Sequence, residues 1–259
     1  MKKNNNSTPQ IFTIWSDEIE NRLDPFFYQS YFRELEKQLK KSKHKLVKLS
    51  DVCAAVRGVT YSSEDEAEIG VKVLRANNIT LATNEINLDD VRTIRADFPV
   101  SDEQRLIAGD ILMSAASGSK EHVGKVAYIP ENTDFYFGSF MMVLRADTTA
   151  VNPQYLFEFL ASKVFRGLFF RILGGTNINN LNFSMIESFE IPLPPPAVQA
   201  EIAKTAQNNR TKARELEEEA EKIIATIDSF VLDELGIDIA GEHERESKRG
   251  RAGNPCYLE

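Results

Sequence analysis

The sequence has few of the residues that staple a fold together. Cys53 and Cys256 are its only cysteines and lie far apart, which argues against a disulfide framework or a cysteine-rich zinc site and for a reducing cytoplasm. The histidines, His44, His122 and His243, are scattered and match no metal-ligand spacing. No apolar run approaches the length of a bilayer span. The opening Met1-Lys2-Lys3-Asn4-Asn5-Asn6 lacks the apolar segment of a secretory signal. No Gly-x-x-x-x-Gly-Lys-Ser/Thr phosphate loop is present. An excess of positive charge is missing too, the net charge being -8. That tells against a simple nucleic-acid binder, because phosphate neutralisation favours basic domains. It leaves DNA binding open, since a local basic surface outweighs a global average within a Debye length. Much of the acidity is concentrated in Glu215 to Glu221 and in Glu64-Asp65-Glu66.

What is present suffices for one globular core with a helical appendage: 259 residues, 42% of them hydrophobic. Residues 1–16 are polar and Asn-rich and are expected to be disordered. Residues 17–45 form an N-terminal helical segment, with Tyr28, Tyr31, Phe32, Leu35 and Leu39 at spacings of three and four. Asp24-Pro25 reads as its N-cap and first helical residue. From 46 to 196 the pattern is mixed and mostly strand-like. Val71–Leu74, Asp110–Met113, Gly124–Ile129, Met141–Leu144 and Phe189–Ile191 are short apolar runs bounded by turn residues. Asn152-Pro153 caps a helix predicted to run to about Leu173. Phe135, Tyr136, Phe137 and Phe140 read as core aromatics rather than base-stacking platforms. The fold class is α/β (α+β), a mixed-sheet domain with peripheral helices.

Pro192-Leu193-Pro194-Pro195-Pro196 reads as a rigid extended hinge. A seam follows it: Ile202, Ala206, Asn209, Ala213, Leu216, Ala220, Ile223, Ile227 and Phe230 alternate in steps of four and three, about five heptads. The alanines allow close approach of a partner helix, and Asn209 is a polar seam residue of the kind that sets register. The long helix is assigned to 197–236 and pairs with another helix, because a seam set off by a proline hinge has little else to bury against. Residues 237–259 are polar and expected to be a disordered tail.

The chain resembles the target-recognition domain and spacer helix of type I restriction-modification specificity subunits, in a half-length form carrying one recognition domain. Arg22-Leu23-Asp24-Pro25, Lys45 to Val52, Val73-Leu74-Arg75-Ala76-Asn77-Asn78-Ile79, Gly109-Asp110-Ile111-Leu112-Met113-Ser114, Ser117-Gly118-Ser119 and Val123-Gly124-Lys125-Val126 carry it in order. Gly174-Gly175-Thr176-Asn177-Ile178-Asn179-Asn180-Leu181, then Ile191-Pro192-Leu193-Pro194-Pro195 with Gln199 and Ile202-Ala203, is the most specific block. The resemblance implies a non-catalytic, cofactor-free protein that binds double-stranded DNA. It also implies docking to modification (methyltransferase) and restriction subunits, to which S-adenosylmethionine and ATP belong. Such subunits usually carry two recognition domains in tandem, and no internal repeat is found here. Two copies pairing their long helices antiparallel would restore the arrangement and read a bipartite palindrome. The acidic stretch Glu215 to Glu221 is a candidate polar contact for modification subunits. A truncated, inactive subunit and a coiled-coil interaction module without DNA binding remain open.

DNA recognition needs phosphate contacts from cations, hydroxyls and backbone N–H groups, and base contacts from Arg, Asn and similar forks. The candidates are Arg75, Asn77 and Asn78 at a strand exit, and Ser117, Ser119, Lys120 and Lys125 around a Gly-containing loop. Arg171, Thr176, Asn177 and Asn179 flank or fill a second loop. Each also fits ordinary turn chemistry, and that bland reading is stronger still for Arg57, Arg92, Arg95 and Arg105. Asn254-Pro255-Cys256-Tyr257 imitates the Asn-Pro-Pro-Tyr signature of amino-methyltransferases, the one feature supporting an autonomous methyltransferase. Without a doubly wound sheet before it, it is assigned no catalytic role.

Overall fold

The computed structural model describes residues 11–19, 23–116, 122–173 and 181–237. The chain divides into two compact units, Met1–Ala203 and Lys204–Glu259. The first unit is built on an antiparallel four-stranded sheet of order β2-β8-β5-β6. Its strands are β2 (Cys53–Arg57), β5 (Asp110–Ser114), β6 (Val126–Tyr128) and β8 (Met141–Ala146). The central strand β5 is buried at every residue, as its unbroken apolar run requires of a strand covered on both faces. Ile111 and Met113 point into a core with helical Leu156, Leu160, Phe165 and Phe169. Leu112 points the other way, to Leu74, Leu106, Phe137 and Val143. The alternation of side chains along a strand thus builds two cores from one short run.

The second core lies between that sheet and a three-stranded one of order β4-β3-β7. Here β3 (Gly70–Leu74) pairs antiparallel with β4 (Arg92–Arg95) and parallel with β7 (Phe135–Phe137). A small ladder of β1 (Leu46–Lys48) and β9 (Glu190–Pro192) ties the two ends of the domain together, with Val47 opposite Ile191. Strands β2, β4 and β7 lie where no periodic signal was read. β2 holds only Cys-Ala-Ala-Val-Arg, and β4 alternates arginine with Thr93 and Ile94. Their pairing comes from neighbouring strands rather than from propensity.

Two helix boundaries differ from the sequence expectation. The first helix, α1, spans Ser30–Lys40. The Asp24 carboxylate instead accepts from the Phe27 backbone N–H at 3.0 Å in a turn that precedes the helix. The segment predicted as one helix after Asn152 is two, α2 (Pro153–Ala161) and α3 (Lys163–Leu173). Ser162 between them is extended, and its hydroxyl accepts from the Phe165 N–H, starting a new helix. The Asn152 cap and Pro153 at the first position stand as expected. α1 packs on α3 through Phe32, Leu35 and Leu168, whereas Tyr31, counted in the apolar stripe, is exposed.

α4 spans Pro196–Glu234. The proline run is therefore not wholly outside the helix: Pro196 is its first residue, where a missing N–H costs nothing. The first turn of the helix, which belongs to the first unit, is held within that unit by Gln199, 2% exposed. The Gln199 side-chain oxygen accepts from the Asn152 N–H, and its amide donates to the Pro194 carbonyl, both at 2.8 Å. In the second unit every described side chain from 211 to 231 is exposed. Gly236, with φ of +66°, closes the helix end. Residues 1–10 and 238–259, including Asn254 to Tyr257, lie outside the described residues.

Candidate nucleic-acid interface

The described stems of both loops singled out in the sequence border one groove of about 460 Å3, lined by Arg57, Ala116, Ser139, Phe140, Asn182 and Phe183 among others. Ala115 and Ala116 leave β5 along this groove, both donating their N–H to the Phe140 carbonyl at 2.9 Å. Leu181 enters from the other side and donates to the Ala115 carbonyl at 2.7 Å. The stems of loops 117–121 and 174–180 are thus hydrogen-bonded to one another. Ser117, Ser119, Lys120, Thr176, Asn177 and Asn179 themselves lie outside the described residues.

Arg57 and Phe140 are the groove's chemistry that sequence reading missed. Arg57 ends β2, and among the described residues no carboxylate pairs with it. This sets it apart from Arg92, on Glu66, Arg95, on Asp65 and Asp97, and Arg105, on Asp134. Phe140, expected in the core, is 66% exposed. The reason is local: the Met141 N–H bonds back to the Gly138 carbonyl at 2.8 Å, and this tight turn throws Phe140 outward. Gly58 makes the close approach possible, because a Cβ there would sit 2.1 Å from the Gly138 carbonyl oxygen. The Gly138-Ser139 pair before Phe140 was the available signal for a turn-tip aromatic. Of the neighbouring aromatics, Phe137 is buried and Phe135 and Tyr136 are half-buried.

The Arg75–Asn78 segment adjoins the same region, since Gly138 donates its N–H to the Leu74 carbonyl at 2.9 Å. Arg75 is half-buried and Asn77 is exposed. Arg75 Nη2 and Asn77 Nδ2 each donate to Asp90 Oδ2 at 2.8 Å. Asn78, 1% exposed, is turned inward. Its Oδ1 accepts from the Arg75 N–H, and its Nδ2 donates to the carbonyls of Asn87 and Asp90.

Lys125 and Arg171, expected to supply charge near DNA-facing loops, also lie inside the fold. The Lys125 ammonium donates to the carbonyls of Ala76 and Ile79 at 2.7 and 2.9 Å, buttressing the segment from beneath. Burial, with the neighbouring Arg166, lowers it below the ordinary lysine value. Arg171 donates to the Phe27 carbonyl at 2.9 Å, pairs with Glu36 and stacks on the Phe27 ring at 3.9 Å. The burial of each rests on one fact invisible in sequence, which side of its element is covered.

Other motif residues are structural as well. Asp110, fully buried, receives Arg145 Nε and Nη2 at 2.8 Å each and the Ile107 N–H at 3.0 Å. That carboxylate holds Arg145 above its ordinary value. Gly124 has φ of +77°. Among the described residues no group of three or more His, Cys, Asp or Glu is placed to hold a metal ion, and no helix is long and apolar enough to cross a membrane.

Residues 41–224 match the sequence family described as Type I restriction modification DNA specificity domain. The chain is 31% identical over 175 residues to the type I restriction enzyme StySPI specificity subunit of Salmonella potsdam, covering 64% of this chain. It is 31% identical over 175 residues to the EcoKI specificity subunit of Escherichia coli strain K12. In both cases the match takes up 37% of the relative's length, so the chain corresponds to little over a third of these proteins. Among solved structures, an S subunit from M. genitalium superposes with a TM-score of 0.50 at 13% identity, over 79% of this chain and 49% of that one. A chain from a structure describing complex assembly and conformational transition of the type I R-M system reaches 0.52 at 16% identity, over 78% and 52%. These two likenesses are of fold. With the family match spanning most of the chain and specificity subunits as its relatives, the protein belongs to the type I restriction-modification DNA specificity domain family.

Proposed function

We propose that the chain is a non-catalytic DNA-sequence specificity subunit that reads one half-site and docks modification subunits. Reading one half-site, it works as an antiparallel homodimer on a bipartite palindrome. The observation carrying this is the convergence on one groove of Arg57, which has no carboxylate partner among the described residues, the exposed Phe140 and the stems of both candidate loops, in a chain of this family. Arg57 and Lys120 supply phosphate or base contacts. Phe140 supplies an apolar contact to a thymine methyl or a base step. Ser117, Ser119, Thr176, Asn177 and Asn179 complete the surface. S-adenosylmethionine and ATP serve the partner subunits.

The exposed seam of α4 supports pairing. Ala206, Ala213, Ala220 and Ile227 recur every seven residues, as do Ile202, Asn209, Leu216, Ile223 and Phe230. Ile223, Ile227 and Phe230 are 58%, 55% and 64% exposed, more apolar surface than a solitary helix is expected to leave in water. The test of function is selection from a randomised duplex library by the chain assembled with modification subunits. Enrichment of one sequence, lost in Arg57→Ala and Phe140→Ala, is expected. No enrichment by the wild-type assembly, with assembly itself intact, would favour an interaction module that does not read DNA.

A further inference from the structure

The Arg75, Asn77 and Asp90 side chains form a cluster whose purpose is not stability. The segment carrying Arg75 and Asn77 is already fixed from inside. Asn78 makes three hydrogen bonds there, and the Lys125 ammonium holds two of its carbonyls. Asp90 adds an exposed contact, its side chain 61% accessible, and exposed ion pairs contribute little to folding. What Asp90 does determine is direction. One oxygen, Oδ2, receives both Arg75 Nη2 and Asn77 Nδ2 at 2.8 Å, so the two side chains are held side by side. Asp90 is itself anchored, its backbone carbonyl accepting from Asn78 Nδ2 at 3.1 Å.

The groups left over are those that read bases. Arg75 Nη1 and Asn77 Oδ1 have no partner among the described residues. Each of Arg75 Nη2 and Asn77 Nδ2 carries a second hydrogen beyond the one given to Asp90. Arg75 therefore offers two parallel donors, the match for guanine O6 and N7. Asn77 offers one donor and one acceptor, the match for adenine N6 and N7. Arg75 Nε is buried without a hydrogen-bond partner among the described residues, so the bond to Asp90 is the one side-chain hydrogen bond that Arg75 makes among them. Resting on the DNA-reading function proposed above, we propose that Asp90 is a positioning residue for base readout, clamping Arg75 onto a guanine and Asn77 onto an adenine of the target half-site.

The test repeats the library selection with the full chain and modification subunits, comparing wild type with Asp90→Ala, Asp90→Asn, Arg75→Lys and Asn77→Ala. Wild type is expected to enrich a half-site containing a guanine and an adenine. Arg75→Lys should relax the guanine alone and Asn77→Ala the adenine alone. Asp90→Ala should relax both, lowering the ratio of specific to random-duplex affinity about tenfold, while random-duplex affinity holds or rises because a negative charge has left the surface. Asp90→Asn, which keeps an acceptor and the fold, should fall between. An unchanged half-site in Asp90→Ala and Asp90→Asn would overturn the clamp and leave the DNA-reading function standing. A parallel rise of specific and random affinity would overturn it too, reducing Asp90 to a screening charge. Absence of any enriched sequence with wild type would remove the function and the clamp together.

Discussion

Replacing Ile223 by Asp separates a paired helix from a solitary one. Ile223 is 58% exposed in the single chain, so the substitution leaves the first unit's packing untouched and the monomer should unfold as wild type does. In the proposed antiparallel pair the same position faces a partner. Full burial of an isoleucine contributes about 1.5–3 kcal/mol, and roughly half of that surface remains to be covered. Each seam position therefore contributes about 1–1.5 kcal/mol, before the cost of burying a carboxylate. An isologous pair contains the substitution twice, so the loss is about 2–3 kcal/mol, a dimer roughly 30–150-fold weaker. Light scattering over a concentration series reads this directly, with thermal melting of the monomer as control. A wild-type protein that is a monomer at every concentration, or a dimer indifferent to Ile223→Asp, would refute the assigned seam.

Other consequences follow from the interior. Gly124→Ala should cost about 2–4 kcal/mol, because a Cβ there meets Phe169 Cε1 at 2.4 Å on a backbone with positive φ, measurable as a lower denaturant midpoint. Asp110→Ala should cost about 3–5 kcal/mol, since it strips Arg145 of its buried carboxylate partner; a change within error would mean the pair is idle. Burial pushes the Cys53 thiol up to about 12, so at pH 8 Cys53 should resist alkylation in the folded protein and label only in denaturant, read by peptide mass. The sign follows: a thiol whose folded value exceeds its unfolded value of 9.0 favours the fold fully below about pH 9, and that contribution falls away as pH rises toward 12.

The sequence made legible what depends on local pattern. The apolar runs of β3, β5, β6 and β8, the Asn152-Pro153 helix start and the heptad spacing of α4 all follow from periodicity or capping. The ordered motifs marked the family, and several of their polar residues pin the fold from inside. Asn78, Asp110, Lys125 and Gln199 are polar residues whose hydrogen bonds close the fold. Their burial was not legible, because it depends on which strand crosses above them. The break at Ser162 was hidden by an apolar pattern running through it. Arg57 and Phe140 were passed over for a related reason. An arginine ending a strand and an aromatic after Gly138-Ser139 look ordinary until the turn places both on one groove.

The most direct test of a half-subunit that reads DNA as a homodimer is a map of DNA methylation in cells making this chain with modification subunits. The account predicts one methylated motif made of two identical, inverted half-sites held at a fixed spacing, absent when the chain is absent. Two different half-sites, or methylation indifferent to the chain, would contradict it.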